Sequence, residues 1–452
     1  SNGASDSGSF PDDGGGGILS DHAMISLDHC VITQNKARFG GGIFNLNGAV
    51  MMNTTTMNDN QATDSSGAIY NYGSGGGGSL DIYDSTFNRN LTTGGSGRSG
   101  AVENHGGIAT FTNCTFFDNS AFDAGVIYND GVGANSRITL LDCTVSENNT
   151  SDPASANIVN VAVNGGTAHF TAGSSIFKTG AQGPNFLNSG GTFISEGYNL
   201  SNDAAGGGGG TDPFGYLNAN GDVRNTDPLL GTLASNGGPT PTIELLSGSP
   251  AIDTGEHLAP MQDQRYYRRS GPADKGAFEF NGVLAPAFVV SRKTQGALTF
   301  DIGMPLASLL GIECRSGGAT NDYSLVAVFE TPVSIKGYAV TIGTGTAVQL
   351  DNDGRGQLTV HLTGVSNAQR ITITLFGVSD GVHTQDVAMP MGILIGDTSG
   401  NGSVNASDIS ETKSRSGQTV NATNFRNDVS VNGSINASDV SLVKSRTGTA
   451  LP

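Results

Sequence analysis

The chain has 452 residues, too many for one compact core, so roughly two to four domains are expected. Glycine fills 68 positions, charged residues make up only 14%, and the net charge of −18 disfavours nucleic acid and anionic lipid as partners. Four cysteines make no disulfide framework, and no run reaches the apolar length of a transmembrane segment.

The opening "SNGASDSGSF" is polar from its first residue, shows no signal peptide, and reads as a processed or trimmed start. Two short patterns then alternate along residues 14–200. One is carried by "HCVITQN", "TTTMNDN", "DSTFNRN", "NCTFFDN" and "DCTVSEN", ending on Asn35, Asn60, Asn90, Asn119 and Asn148. The other is carried by "GGIFN", "GAIYN", "GAVEN", "GVIYN" and "ANIVN", ending on Asn45, Asn71, Asn104, Asn129 and Asn160, with Asn188 expected to continue it. Around Cys114 and Cys143 the apolar residues follow period two, slip by one residue, then follow period two again. In a strand, period two keeps one face inward. A slip that keeps the next strand inward requires a bend, which falls on His29, Thr54, Asp84, Asn113 and Asp142. Asp and Asn tolerate the left-handed backbone such a bend uses.

Each unit is therefore one coil of a parallel β-helix, and the fold class expected is a right-handed one. Ile32, Met57, Phe87, Phe116 and Val145 form one inward column, and Ile43, Ile69, Val102, Ile127 and Ile158 form another. The asparagines are expected to stack as ladders with a structural role. Cys30, Cys114 and Cys143 share a column with Thr55 and Ser85; Cys114 and Cys143 lie either within disulfide reach or as stacked, inert thiols. The F-x-x-N and G-G-A-(I/L/V) character of these units resembles the repeats of chlamydial polymorphic outer-membrane proteins, with Ile32, Met57 and Val145 departing from Phe. Only thirteen residues precede the first coil, with no apolar cover, so either earlier coils were removed by processing or trimming, or another molecule covers this end, in which case a homo-oligomer or filament is the expected assembly.

Residues 201–282 lose the repeat. "DPLLGTLASNGGPTPTIELLSGSPAIDTG" and "DQRYYRRSGPADKGAFEF" resemble the choice-of-anchor Q segment that follows β-helix repeats in secreted bacterial proteins. Tyr266 stands where that segment carries a turn glycine. Terminal coils or a cap over the open end are expected, held by Arg–carboxylate pairs among Asp253, Asp263, Arg265, Asp274 and Glu279. Residues 283–393 alternate as strands between turn signals, the pattern of a β-sandwich, and look like an immunoglobulin-like module.

Residues 394–452 hold "DTSGNGSVNASD" and, 31 positions later, "DVSVNGSINASD". Oxygen donors fall at the positions of an EF-hand loop, with glycine at the sharp turn. The calcium ligands expected are Asp397, Ser399, Asn401, the Ser403 carbonyl, Asn405 and Asp408, then Asp428, Ser430, Asn432, the Ser434 carbonyl, Asn436 and Asp439. A helix-length stretch follows each loop, and Val404 and Ile435 are placed to pair the loops. The region resembles a type I dockerin, which implies Ca2+ and a cohesin-like partner. Two carboxylates per loop suit extracellular calcium.

A non-catalytic extracellular or cell-surface protein, docking or self-assembling through calcium, is the reading preferred here. A polysaccharide-active β-helix enzyme carried by a dockerin is one alternative. The cations of residues 1–200 (Lys36, Arg38, Arg89, Arg98, Arg137 and Lys178) lie on different loops or coil positions, so no catalytic cluster is expected. A glycan-binding adhesin is the other alternative, and scattered Tyr and Phe residues count against it.

Overall fold

The computed structural model describes residues 13–73, 77–206, 215–256, 260–306 and 310–452. They form two compact units, one ending at Val283 and the other spanning Leu284–Pro452.

The first unit is a parallel β-solenoid. One seven-stranded sheet stacks Ile18–Asp21, Ile43–Leu46, Ile69–Tyr72, Val102–His105, Ile127–Asp130, Ile158–Val161 and Phe186–Ser189. A second stacks the strands from Met24–Asp28 to Thr192–Gly197. A third begins with Val31–Thr33, Thr56–Asn58, Thr86–Asn88 and Thr115–Phe117. The longer strand Thr144–Thr150 joins that third sheet to a strip of short strands that includes Gln61–Ser65 and Lys36–Phe39.

The bends fall where the slip in periodicity puts them. His29, Thr54, Asp84, Asn113 and Asp142 have φ between 48° and 51°. A second column of left-handed residues, Gln34, Asp59, Arg89, Asp118 and Glu147, turns the chain out of the third sheet. Both inward columns are in register and buried. Within the core, Phe87 stacks on Phe116 at 4.8 Å and Phe111 meets both rings edge-on.

Two asparagine ladders run through this interior. Asn60 Nδ2 donates to Asn90 Oδ1, Asn90 to Asn119 and Asn119 to Asn148, at 2.9–3.0 Å. The same amides also bond the carbonyls of Ile32, Met57 and Phe87. The other ladder joins Asn45, Asn71, Asn104, Asn129, Asn160 and Asn188 at 2.7–3.0 Å. Each rung satisfies a buried amide that would otherwise cost about 1–3 kcal/mol. All four cysteines are free thiols. Burial, with Cys143 adjacent, pushes the Cys114 thiol well up.

The stretch after the repeats does two things. Residues 215–226 close the last coil: Tyr216 stacks on Phe193 at 5.0 Å, Leu217 joins the solenoid core, and Val223 pairs with Leu200. From there the chain runs back along the flank, rather than only across the end. Ile176 and Leu200 of the solenoid share a buried cluster with Leu230, Ile243, Leu245 and Phe278. The hydroxyls of Thr86, Thr115 and Thr144 bond Pro241, Gln264 and Ala277. The third sheet has an outward threonine column, and this segment covers it.

Its corner is held by charge. Arg265 bonds Asp263 through Nε and Nη2, at 2.9 and 2.6 Å, and lies between the rings of Tyr267 and Phe278. Arg269 pairs with Glu279 at 3.3 Å. Tyr266 keeps the turn that glycine would give, at φ 65°, a conformation costly for a bulky side chain. Its hydroxyl lies 2.9 Å from Thr54 Oγ1 and 3.1 Å from Asn53 Nδ2, contacts that hold the strained turn against the second coil.

In the second unit, a five-stranded sheet runs Leu298–Gly303, Phe288–Gln295, Tyr323–Val328, Gln357–Thr363 and Thr346–Asn352. A four-stranded sheet runs Ile312–Glu313, Thr384–Ile393, Gln369–Ser379 and Gly337–Ile342. Leu358, Val360 and Leu362 alternate with less buried residues, and Leu325, Ile373 and Met389 are buried in other strands of the two sheets, as in a β-sandwich. Two helices follow, α1 (Ala406–Arg415) and α2 (Ala437–Ser445). They are built onto the sandwich, since Ile312 shares one core with Leu394, Ile395, Val404, Val429 and Val443. Among the described residues no helix is long and apolar enough to cross a membrane.

Candidate calcium centres and a charged cluster on the solenoid

The two C-terminal loops fold alike because each ends in a helix cap. Asn405 caps α1 by accepting from Ser407 N at 2.8 Å, and Asp408 reaches back to accept from Asn405 N at 2.9 Å. Asn436 and Asp439 do the same for α2. This reciprocal box fixes the last carboxylate of each loop before any ion is considered. Its other oxygen turns inward: Asp408 Oδ1 accepts from Ser399 N, and Asp439 Oδ1 from Ser430 N. From the opposite side, Asp397 accepts from the amides of Gly400, Asn401 and Gly402, and Asp428 from those of Asn432 and Gly433. Gly402 and Gly433 have φ of 86° and 85°, the left-handed turn that the loop needs at that position.

The structure thus gathers Asp397, Ser399 and Asp408 in one loop and Asp428, Ser430 and Asp439 in the other. Asn401 and Asn432 turn their oxygens onto the amides of Ser403 and Ser434. Asn405 and Asn436 serve as caps, which leaves them to reach an ion through water, as the ninth position often does. Val404 and Ile435 do not pair with each other. Val404 N donates to Thr449 O, and Gly417 N to Ile435 O, so each loop bonds the chain that leaves the other helix.

The donor set fits a hard cation: carboxylates, hydroxyls and carbonyls, with no nitrogen or sulfur. All four aspartates are 0% exposed, and none is ion-paired with Lys or Arg among the described residues. Burial pushes the Asp428 carboxyl up, against the amides of Gly433 and Asn432, and Asp439 adds to the push. Ser430 Oγ is buried without a hydrogen-bond partner, an oxygen that a cation would satisfy.

A second constellation lies on the first sheet of the solenoid. Glu103 and Asp130 stand in neighbouring coils, both 1% exposed, and Arg98 Nη1 donates to both, at 3.1 and 2.5 Å. His105 Nδ1 lies 2.8 Å from Asp130, and its ring stacks on Tyr72 at 5.0 Å. Ser65 donates to Glu103. Burial raises the Glu103 carboxyl to about 7 despite Arg98. Burial works the same way on Asp130, but the His105 hydrogen bond, the Val132 amide and Arg98 outweigh it and hold that carboxyl low. The Asp130 hydrogen bond raises His105.

Spacing along the chain had set these cations apart; coil register brings Arg98 to partners 5 and 32 residues away. The aromatics are not scattered either, since Phe44, Tyr70, Glu103 and Tyr128 occupy one register column, with Phe39 and Phe44 against Tyr70. The signal available in the sequence was "GAVEN", which puts Glu103 where the other units carry Phe, Tyr or Val. The carboxylates and His105 approach within 4.8 Å of one another, but Arg98 already supplies the positive charge a metal would bring.

Residues 395–446 match the family described as dockerin type I domain. No curated protein and no solved structure matches the chain. The class defined by fold and site is therefore a β-solenoid protein carrying a C-terminal dockerin module. A dockerin implies calcium-dependent docking to a cohesin, and calcium is the cation that such modules bind.

Proposed function

We propose that this is a non-catalytic extracellular protein that docks a rigid β-solenoid onto a cohesin-bearing partner through two calcium loops. The observation that carries the reading is the duplicated pair of buried, uncompensated aspartates, Asp397 with Asp408 and Asp428 with Asp439. Calcium bound there would be held by these carboxylates together with Ser399 and Ser430, and would offset the repulsion within each pair. The resemblance of the repeats and of residues 201–282 to bacterial surface proteins supports the extracellular assignment. Against the polysaccharide-active enzyme stands the use made of its best acid pair. Glu103 and Asp130 are buried and share one guanidinium nitrogen, so neither is presented to a glycosidic bond. Self-association would use the first coil, whose strand Ile18–Asp21 pairs on one edge only among the described residues.

Native mass spectrometry of the full chain under calcium titration tests the reading. Two bound ions per chain are expected, with calcium-dependent protease protection of residues 395–446 and chelator-sensitive capture by an immobilised type I cohesin. Asp408→Ala with Asp439→Ala should abolish the protection. A chain that takes up no calcium, or is equally protected in chelator, overturns it.

A further inference from the structure

The arginine of the solenoid cluster makes its hydrogen bonds through one nitrogen only, with its guanidinium 5.3 Å from the centre of the Tyr128 ring. Arg98 Nη1 holds Glu103 and Asp130, while Nε and Nη2 make no hydrogen bond among the described residues, and the side chain is 44% exposed. Arg265 and Arg315 behave differently, each spending Nε, Nη1 and Nη2 on protein oxygens. His105 repeats the open arrangement. Its Nδ1 is bound to Asp130, and its Nε2 has no protein partner among the described residues. The acids are thus buried and the cations they hold are turned outward.

That arrangement departs from the rest of the sheet. In the register of Glu103 the other coils place Leu19, Phe44, Tyr70, Tyr128 and Val159, so Glu103 alone breaks an apolar column, while Asp130 shares its column with Asp21, Leu46, Tyr72, His105 and Val161. Replacing apolar rungs by buried ions is weak as a stability device, and such breaks in a local rule concentrate at functional positions. Two coils earlier the device recurs. Arg38 bonds Asp64 through Nε and the buried Asp13 through Nη1, leaves Nη2 without a hydrogen bond among the described residues, and lies over the Phe39 ring. Two coils span about 10 Å, close to the advance of a disaccharide in an extended polysaccharide.

We propose that this flank binds an acidic polysaccharide, a uronate-bearing chain lying along the solenoid axis. The open Nε and Nη2 edge of Arg98 takes a sugar carboxylate with two parallel hydrogen bonds, the planar match that guanidinium makes best. His105 Nε2 donates to a hydroxyl, the Tyr72 ring lies against a sugar face, and Arg38 meets the carboxylate one disaccharide away. Duplex nucleic acid, with a phosphate about every 1.7 Å, is repelled by a chain of net charge −18. A uronan carries far fewer charges per length.

Isothermal titration of the full chain at fixed calcium with tetragalacturonate, its uncharged methyl ester and a sulfated tetrasaccharide tests the proposal. The free acid should bind about tenfold more tightly than the ester. Arg38→Ala and Tyr72→Ala leave the Arg98–Glu103–Asp130 group whole, and each should weaken binding several-fold. Arg98→Ala, with its fold checked by circular dichroism, should lose it. No heat with the free acid, equal affinity for the ester, preference for the sulfated ligand, or unchanged affinity in folded Arg38→Ala and Tyr72→Ala chains would each overturn it.

Discussion

The repeating coils of the first unit and the second unit bury polar groups in different ways. The solenoid uses neutral amides: each asparagine completes the one in the next coil, so the device repeats without accumulating charge. The C-terminal unit uses ions. Arg315 and Glu313 are paired at 2.8 Å with neither side chain exposed, and Arg315 also bonds the carbonyls of Ser291 and Phe300. The same unit holds four buried aspartates, in two pairs, with no Lys or Arg ion pair among the described residues. Ladders of neutral rungs give a stability that adds coil by coil. Isolated buried ions give one that fails when a single partner is removed, whether a side chain or a metal.

Removing one ion should therefore have the larger effect. Arg315→Met leaves Glu313 buried alone and is expected to destabilise the second unit by about 3–5 kcal/mol, read from denaturant unfolding. Adding Glu313→Gln should restore much of the loss. If the single variant unfolds with the parent, the unit does not depend on that pair.

Removing one rung should cost less. Asn119→Ala leaves the buried Asn90 backbone N–H without its acceptor and takes one side-chain hydrogen bond each from Asn90, Phe87 O and Asn148, at about 1–3 kcal/mol. Calorimetry of the full chain should show the loss in the solenoid transition alone. A shift in both transitions would mean that the two modes of burial are not separate.

The smallest effect comes from the ion cluster on the first sheet of the solenoid. The Glu103 carboxyl lies at about 7, above its ordinary 4.5. Its contribution is thus complete at acid pH and is lost as pH rises through 7, to the extent of about 1–3 kcal/mol. The solenoid should melt lower at about pH 8 than at about pH 5, and Glu103→Gln should flatten that slope. An unchanged slope would place the pH dependence elsewhere.

Much of this was legible in the sequence, for local reasons. The one-residue slip located the bends at His29, Thr54, Asp84, Asn113 and Asp142, because period two leaves no other way to keep both strands inward. The two dockerin loops declared themselves through spacing within twelve residues. The second column of bends was not legible, since Gln34, Asp59, Arg89, Asp118 and Glu147 have no chemistry in common and only their place before an asparagine relates them. Nor was the Arg98 cluster, whose members meet through coil register. The partners of the two loops were not legible either, because Val404 bonds Thr449 and Ile435 bonds Gly417, residues that lie beyond the helices.

The strained turn at Tyr266 has a consequence in time. Its hydroxyl reaches Asn53 and Thr54, 213 and 212 residues back, so the second coil is sealed by a residue that leaves the ribosome long after it. Coils can form one upon another as the chain emerges, each closing a short loop at modest entropic cost. The contacts at the flank wait for the whole solenoid to exist, and they are the slow, non-local kind. Synthesis order and sealing order therefore run in opposite directions: the early coils stay free to rearrange until the last segment of the unit lies down across them.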